Sequence, residues 1–518
     1  MSQIRHVAVA VIVFVLLAVL LTSLPSAINP VAQSKEKIEA DQRWVSTSPH
    51  WLDRQACRWM GLCGLAHLRP DPAVRSPSDS DGACVKTMRR RSTSHIIRQA
   101  TDTQSKNETM GLRRIPDYVL EYAPLVHLYS EEHFWPSDIE DHIKHVMPYI
   151  DGMPLNQSEP LSLSTLGQLD TPVGLLSLES KDNVECRPTW LHSSENIPVS
   201  SEDGNDDSNG MPETRRFDED RAWFGIDEDR PLPRSSTPDN KPDIRKRPRL
   251  TPMERRLAAQ SIQNKPSEEG YSKAPATLIL IDKGSGVVDA FWFFFYAYNL
   301  GQTVLGTRYG NHVGDWEHTM IRFESGVPSA VYFSEHEGGQ AYAWEVVEKR
   351  GMENAQQQQE QQQEQQQEEP PPPKQQKRPV TYSAAGSHAM YAMPGDHPYV
   401  LPFNILKDET DDGPLWDPAK NFRSYWYNYS VADDVELEPT LENPDAPVGW
   451  FHYKGRWGDK VYGLDDERQW RLFGQYHYVT GPQGPMFKNL EREEVCQSSS
   501  KCRILKSIAE GRKWSWHS

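Results

Sequence analysis

The aromatic run between Val287 and Leu300 constrains the fold of this chain more strongly than any other feature. It reads VVDAFWFFFYAYNL, with apolar or aromatic side chains at nearly every position. A strand with one solvent-exposed face would alternate polar and apolar residues, and this run does not alternate in that way. It is too short to span a membrane as a helix, and its aromatic residues favour strands. The run therefore predicts a strand buried on both faces, within a β-rich domain.

A polar loop follows this strand at residues 310–318, which read GNHVGDWEH. His312, Asp315 and Glu317 place an imidazole and two carboxylates within six residues. Ionisable groups packed between apolar strands cost free energy unless they are paired or bound to a metal. If Asp315 and Glu317 begin a strand, their carboxylates point to one face because they lie two residues apart. The loop therefore predicts either a ligand site or a buried polar knot.

The donor set of this loop indicates the kind of ion that it would hold. One imidazole nitrogen and the carboxylate oxygens of two acids suit a hard or borderline divalent cation, such as Ca²⁺, Mg²⁺ or Mn²⁺. Neighbouring segments supply further candidate ligands, namely Asn299, His336 and His388. In the alternative, Asp315 and Glu317 accept backbone N–H hydrogen bonds and the loop holds no ion. The residue types alone leave both interpretations open.

Catalytic residues are not identifiable in the sequence. Ser334, Ser383 and Ser387 lie close to histidines along the chain, but none stands in a G-x-S-x-G nucleophile elbow. No phosphate-binding glycine loop is present. A metal-assisted hydrolase stays an alternative, in which a bound ion activates water and Glu317 or His318 acts as the base. The sequence favours a binding protein over an enzyme.

The composition indicates that several segments lie outside the folded domain. Hydrophobic residues make up 37% of the chain, below the usual share of a globular protein. Residues 193–270 are charged and rich in proline, and residues 353–378 consist largely of Gln, Glu, Pro and Lys. Both segments predict long disordered insertions. The net charge of -17 argues against a nucleic-acid surface.

The N-terminus predicts a transmembrane helix. Val7–Leu24 carries no charge and has about 18 residues, the minimum that spans hydrocarbon. Arg5 precedes it on the short N-terminal side, which assigns that side to the cytoplasm and the body to the lumen. A cleaved signal peptide is the alternative. We expect a signal anchor over residues 1–27, a mostly disordered juxtamembrane stem over residues 28–110, and a luminal domain over residues 111–518.

Two further patterns agree with a luminal body. Three N-x-[ST] sequons predict glycosylation at Asn107, Asn156 and Asn428. The chain has six cysteines, and an even number in a luminal protein is compatible with disulfides. Cys496 and Cys502 are the favoured pair because they close a short loop, and free thiols are the alternative. These patterns indicate a single-pass membrane glycoprotein of the secretory or vacuolar system.

Strand-like segments separated by glycine and proline turns continue on both sides of the aromatic run. They include ATLILI at 276–281, AVYFS at 330–334 and VTYSA at 380–384. A short helix is expected after Ser137, which is a candidate N-cap. Together these segments predict a mainly β (α+β) domain, a β-sandwich with short helices, which begins near Arg114.

Six sequence blocks of this chain resemble one fungal family. They are YAPLVHLYSEEHFWPSDIEDHI, FWFFFYAYN, HVGDWEH, YFSEHEGG, YSAAGSHAMY and GRWGD, in that order between about residues 114 and 481. This pattern is similar to the family named for vacuolar protein sorting-associated protein 62. The resemblance implies a part in the delivery of proteins to the vacuole, and it implies no particular molecular activity.

A more distant resemblance concerns the polar loop. The necrosis- and ethylene-inducing cytolysin family has a GHRHDWE heptad after an aromatic strand, on a β-sandwich. Its first His, its Asp and its Glu bind a divalent metal, and His312, Asp315 and Glu317 are similar to them in type and spacing. Gly314 stands where that heptad has its second His, so the heptad is not intact.

The expected function is that of a binding module. The predicted metal ligands, as the cytolysin resemblance implies, are His312, Asp315, Glu317, His388 and Asn299. Candidate partners are the membrane, through a single span, and a glycan, a glycolipid headgroup or a cargo protein at the loop. Nucleic acid is not an expected partner. A metal-assisted hydrolase and a site-free structural domain are the alternatives.

Overall fold

The computed structural model describes residues 35–69, 111–155, 159–169, 176–194, 264–336, 338–350, 377–398, 406–429, 436–498 and 502–514. Its secondary structure is mainly β with a few short helices, which confirms the predicted class. The predicted signal anchor, Asn107, Asn156 and most of both predicted insertions lie outside these residues. Within the described ranges, no helix is long and apolar enough to cross a membrane.

The elements are numbered in chain order. The helices are α1 (Lys35–Ser46), α2 (Trp51–Met60), α3 (Asp117–Glu121), α4 (Ile139–His145) and α5 (Ile508–Trp514). The first strands are β1 (Leu62–Cys63), β2 (Leu125–His127), β3 (Val146–Ile150), β4 (Met153–Pro154), β5 (Leu176–Ser180), β6 (Ala276–Gly284), β7 (Val287–Asn299), β8 (Gln302–Val304) and β9 (Thr307–Tyr309). The next are β10 (His312–Glu324), β11 (Val327–Glu335), β12 (Gly338–Ala343), β13 (Lys349–Arg350), β14 (Arg378–Ser383), β15 (Met390–Tyr391) and β16 (Gly395–Pro398). The last are β17 (Lys407–Thr410), β18 (Leu415–Trp416), β19 (Phe422–Asn428), β20 (Glu436–Pro439), β21 (Arg471–Leu472), β22 (Gln475–Tyr476) and β23 (Ile504–Leu505).

The largest sheet has eight strands in the order β20-β19-β6-β7-β10-β11-β12-β23. Strands β7 and β10 pair antiparallel in its middle, from His312 opposite Asn299 to Glu324 opposite Val287. Every residue of β7 after Val287 is buried. The aromatic run is therefore a strand covered on both faces, which confirms the sequence prediction.

Two hydrophobic cores cover the two faces of this sheet. Three phenylalanines of β7 lie in the first core, namely Phe291, Phe293 and Phe295, and the residues that alternate with them lie in the second. A five-stranded sheet, β13-β14-β2-β18 with β15 beside β14, packs over the second face and contributes Val126, Met390 and Trp416. The first face is covered by α4, the three-stranded sheet β4-β3-β5 and C-terminal loops.

Residues 35–69 are folded, where the sequence predicted a mostly disordered stem. Helices α1 and α2 lead into β1, which pairs with β21 near the C-terminus. Trp44 Nε1 donates to the Tyr462 carbonyl over 2.8 Å. Helices α1 and α2 bury few apolar side chains of their own, and partners far along the chain hold them in place. The other parts of the predicted stem, residues 28–34 and 70–110, lie outside the described ranges.

A short-range disulfide lies near each end of the described chain. The described bridges are Cys57–Cys63 and Cys496–Cys502, and Cys186 is also disulfide-bonded. Cys496–Cys502 is the pair that the sequence favoured. Asn428 is the last residue of β19 and is partly exposed, and its glycosylation stays a prediction.

Candidate functional site

Gly314 decides which residues at the start of β10 share a face. Its φ of 69° is left-handed, and Val313 and Trp316 on its two sides both lie in the first core. Residues three apart in a regular strand point to opposite faces, so the glycine reverses the alternation. His312 is thereby brought to the face of Asp315. A Cβ at Gly314 would lie 2.2 Å from the backbone oxygen of Trp457, so no side chain fits at this position without a shift of the neighbouring backbone.

Asp315 and Glu317 both lie on the face of the second core. The register sets Asp315 opposite Tyr296 and Glu317 opposite Phe294, and both aromatic residues belong to that core. Both acidic residues are buried. The shared face agrees with the sequence prediction and concentrates the carboxylates between two sheets.

His318 lies on the opposite face of β10, in the first core. Its ring centroid is 4.9 Å from that of Phe293. Burial lowers the pKa of His318 well below its usual range, and the charges of Arg492 and Lys488 add to this. His318 is therefore a neutral core residue, separated from Asp315 and Glu317 by the sheet itself.

His388 lies between two buried carboxylates. Its Nδ1 is 3.0 Å from Asp315 Oδ2, and its Nε2 is 3.7 Å from Glu132 Oε1. The ring stacks on Tyr296 with centroids 3.6 Å apart, and His388 is fully buried. The structure thus brings together two of the predicted site residues and adds Glu132, which the sequence did not single out. We call Glu132, His388 and Asp315 the buried clamp.

The charges of the buried clamp favour a protonated imidazole. Burial lowers the pKa of His388, but Glu132 and Asp315 outweigh this and raise the pKa to about 9. Burial raises the pKa of Glu132, whereas His388 and the backbone N–H groups of Gly386 and Phe134 lower it, and the net shift is downward. The imidazolium thereby stabilises carboxylates that would be costly to bury alone.

The turn at residues 384–389 fixes both ends of the buried clamp. The backbone of His388 has a φ of 55°, and its N–H donates to the Ala384 carbonyl over 3.0 Å. The N–H of Gly386 donates to Glu132 Oε2 over 3.0 Å. A Cβ at Gly386 would lie 2.5 Å from the Leu300 carbonyl oxygen, so the turn packs directly on the end of β7.

His312 and Asn299 are each oriented by a backbone carbonyl. His312 Nδ1 donates to Gly314 O over 2.7 Å. Burial lowers the pKa of His312, although Asp315 opposes the shift, so the ring is neutral and carries its lone pair on Nε2. Asn299 Nδ2 donates to Gly310 O over 2.8 Å and closes the loop.

Glu317 is buried and accepts a hydrogen bond from a neutral donor, Ser334 Oγ. Burial raises the pKa of Glu317 to about 8, with Lys488 opposing this shift and Asp315 adding to it. A carboxyl group in this state is protonated at neutral pH unless a cation joins it.

A second ion pair lies beside the buried clamp. His336 Nε2 is 2.8 Å from Asp408 Oδ2, and the side chain of His336 is 38% exposed whereas that of Asp408 is buried. Three neutral groups also donate to Asp408, namely Ser387 Oγ, Tyr391 OH and Gln302 Nε2. Burial lowers the pKa of His336, but Asp408 outweighs this and raises it to about 9. Because Ser387 directly precedes His388, one turn connects the two pairs.

The predicted metal ligands are not assembled around a common point. Among the residues that the structure describes, no three His, Cys, Asp or Glu side chains are placed to hold an ion. Asp315 and His388 face each other, and the donor nitrogens of Asn299 and His312 are turned to carbonyls. The positive charge at the centre of this region is the imidazolium of His388. Binding of Ca²⁺, Mg²⁺ or Mn²⁺ stays a prediction.

A cavity of about 280 Å³ lies apart from this region. Its lining residues are Gly152, Glu179, Lys460, Val461, Tyr462, Gly463, Asp465 and Asp466. None of the predicted ligands belongs to this lining, so the cavity and the buried clamp are separate features.

We expect Gly314→Ala to lower the free energy of unfolding by about 3 kcal/mol or more, because the new Cβ overlaps Trp457 and the left-handed backbone adds strain. Urea unfolding measures the loss. Gly306→Ala is the matched control, since Gly306 has a φ of 74° and a Cβ there meets nothing within 4 Å. The control should lose only about 1–2 kcal/mol. Equal losses would contradict close packing of Trp457 on the loop.

We expect the contribution of His388 to stability to depend on pH. The pKa of His388 is raised on folding, so its contribution is complete below about pH 6.5 and is lost as the pH rises through about 9. His388→Gln should therefore lower the free energy of unfolding by about 3 kcal/mol at pH 6 and by clearly less at pH 10. Urea unfolding of both proteins across this range measures the difference.

His336→Gln is the control for this experiment. Its imidazole has a similarly raised pKa but is partly exposed, so water screens the pair and the loss should be smaller. A loss at His388 that is the same at pH 6 and pH 10 would show that the clamp holds no imidazolium.

Two yeast proteins are similar to this chain over most of its length. One, provisionally named vacuolar protein sorting-associated protein TDA6 of Saccharomyces cerevisiae, is 35% identical over 402 residues, which cover 76% of this chain and 71% of the relative. The other, vacuolar protein sorting-associated protein 62 of the same organism, is 33% identical over 406 residues, which cover 77% and 71%. No protein-family model matches the chain, and no solved structure is significantly similar to it. The extent of both similarities shows that the chain belongs to the vacuolar protein sorting-associated protein 62 family.

Proposed function

We propose that this protein is a membrane-anchored binding module of the vacuolar sorting route, with its domain in the lumen. The names of both relatives support the role in vacuolar protein sorting. The uncharged segment Val7–Leu24, the sequons and the disulfides support a luminal glycoprotein on a single anchor. A β-sandwich of the cytolysin type is part of the same proposal, supported by the two sheets that share the second core.

One observation carries the binding role: a partly exposed imidazolium is fixed above a buried polar array. His336 is the exposed group, and Asp408 below it is held by three further hydrogen bonds. These residues stand on or beside strands β11 and β17, so a ligand can bind without ordering them first. An imidazolium donates strongly to carboxylate and hydroxyl oxygens. The site therefore suits a glycan, a glycolipid headgroup or a polar surface of cargo.

The β8–β9 hairpin stands at the side of this site. Gln302 ties it to β17, since its Nε2 donates to Asp408 Oδ1 and its Oε1 accepts from the N–H of Lys407. Leu305 at the hairpin tip is fully exposed. The base of this hairpin is fixed by Gln302 to the strand that carries Asp408.

A divalent cation is a separate part of the proposal. Its proposed ligands are those predicted from the sequence, and an ion there would have to compete with His388 for Asp315 and with Ser334 for Glu317. When bound, such an ion would supply a second positive charge for ligand oxygens. The binding role at His336 does not depend on it.

For the hydrolase alternative, the hydroxyl groups of Ser334 and Ser387 are hydrogen-bonded to carboxyl groups. Ser334 Oγ donates to Glu317 and Ser387 Oγ donates to Asp408. The metal-assisted form of this alternative needs Glu317 or His318 as its base, and His318 lies on the opposite face of β10, with its ring beside that of Phe293 in the first core. The geometry therefore favours binding over catalysis.

Glycan-array binding of the purified full chain tests the proposed ligand site. We expect His336→Gln to weaken binding about tenfold, because it removes the exposed charge and keeps the shape. Lys460→Gln is the matched control, since it removes an exposed charge at the separate cavity. Wild-type protein that binds no glycan, or equal binding by His336→Gln, would remove glycans from the proposal.

We expect Glu317→Gln to gain stability relative to the wild type as the pH rises from about 5 to 8. Burial raises the pKa of Glu317 to about 8, so the stability of the neutral form is present below about pH 4.5 and is lost as the pH rises through 8. Thermal unfolding measures this change.

The same variants test the cation. Added Ca²⁺, Mg²⁺ or Mn²⁺ at pH 8 should raise the unfolding temperature of the wild type and leave that of Glu317→Gln unchanged. Bound-metal analysis of the wild type and Asp315→Ala is the second measurement. Equal metal content and equal stabilisation in all proteins would remove the cation from the proposal and leave the His336 site intact.

A further inference from the structure

Exposed apolar side chains concentrate at the N-terminal end of the described chain. Of the thirteen large apolar side chains that are exposed in the described ranges, seven lie between residues 35 and 69. They are Ile38, Trp51, Leu52, Trp59, Met60, Leu65 and Leu68. Contiguous apolar exposure of this kind marks a surface that meets a partner or a membrane.

Helix α2 presents the largest of these side chains on one face. Trp51, Leu52 and Trp59 are 62%, 73% and 71% exposed. At about 100° per residue, Leu52 and Trp59 lie about 20° apart around the helix and Trp51 lies about 80° from Trp59, so all three fall within one broad sector. Cys57 on the other side is buried and joined to Cys63. The helix is therefore amphipathic, with its apolar face turned away from the domain.

This face is held firmly in place. Asp53 Oδ1 accepts from the N–H of Gly64 over 2.8 Å, and Arg54 Nη1 donates to the Ser48 carbonyl over 2.6 Å. Strand β1, directly after the helix, pairs with β21. The outward direction of the apolar face is consequently set by the fold, so the surface is preorganised for contact.

The side chains of this face suit the boundary between lipid and water. Tryptophan is enriched at that boundary because an apolar ring carries one polar N–H. Trp59 Nε1 already donates to Gln55 Oε1 over 3.2 Å, so its ring can enter lipid without leaving a donor unpaired. Arg58 beside it is exposed and can reach the headgroups with its guanidinium.

We propose that α2 lies in the interfacial layer of the bilayer and holds the luminal domain against it. Only residues 25–34 separate the apolar segment Val7–Leu24 from α1, and ten residues reach about 35 Å when fully extended. A tether of this length keeps α2 close to lipid at a high effective concentration. The inference rests on the membrane anchor of the proposed function, and it assigns the apolar face to lipid rather than to a second copy.

Quenching by brominated lipid tests this assignment on the full chain. The protein is reconstituted in phosphatidylcholine nanodiscs with and without dibrominated acyl chains, which quench tryptophan at the lipid surface. The sequence has no Trp before Trp44, so the anchor contributes no signal. We expect bromine-dependent quenching in the wild type and loss of about half of it or more in the double variant Trp51→Ser, Trp59→Ser.

Two controls accompany the double variant. Val327→Ser removes an apolar side chain that is 65% exposed at the start of β11, and it should leave quenching unchanged. Thermal unfolding of the double variant should match the wild type, because both indoles are exposed, and Trp51→Ser alone gives a milder test of the same face. Light scattering of the nanodisc particles reports self-association.

The outcomes separate this inference from the proposed function. A chain that does not enter nanodiscs contradicts the anchor and this inference together. Chains that all enter nanodiscs and are quenched equally contradict the interfacial helix and leave the anchor and the His336 site standing. Particles with two copies and no bromine-dependent quenching would assign the face of α2 to a second copy instead.

Discussion

The pairing of β7 with β10 is the constraint on which the rest of the structure depends. Both strands bury side chains on both faces, so neither face can be left to water. One face takes a second sheet, and the other takes α4, a small sheet and C-terminal loops. The candidate site lies where the second sheet packs on this pair of strands. Asp315 lies on β10, His388 on a turn packed against the end of β7, and Glu132 in the loop before α4.

The buried clamp offsets the free-energy cost of burying the Asp315 and Glu132 carboxylates between the sheets. Carboxylates between two sheets need a cation, and the imidazolium of His388 supplies it from within the chain. Desolvation offsets much of the attraction in a buried ion pair, whereas removal of one partner leaves a buried charge uncompensated. His336 and Asp408 repeat the arrangement with one side open to water, and only an open pair can exchange its partner for a ligand.

Local sequence patterns predicted what lies within one segment of the chain. The aromatic run gave the doubly buried strand, and the two-residue spacing of Asp315 and Glu317 gave their common face. Glu132 and Asp408 were not predicted because segments distant in sequence bring them to the site, and no local period encodes which carboxylate meets which histidine. The reversal at Gly314 is a backbone event that depends on its left-handed φ and on the close approach of Trp457, which comes from far along the chain. The positions of helices α1 and α2 could not be predicted because the residues that hold them lie at the other end of the chain.

The order of strands in the sheets also bears on how the protein is made. Strand β19 pairs in parallel with β6, β23 with β12, and β1 pairs with β21. Contacts between such distant segments form slowly, since the intervening chain must first be closed into a loop. While the C-terminal part is still being synthesised, β6 and β12 each have an edge without its final neighbour. A nascent chain with open apolar edges is prone to aggregate. Strands β19 and β23 therefore close the edges of β6 and β12 only after most of the domain has been made.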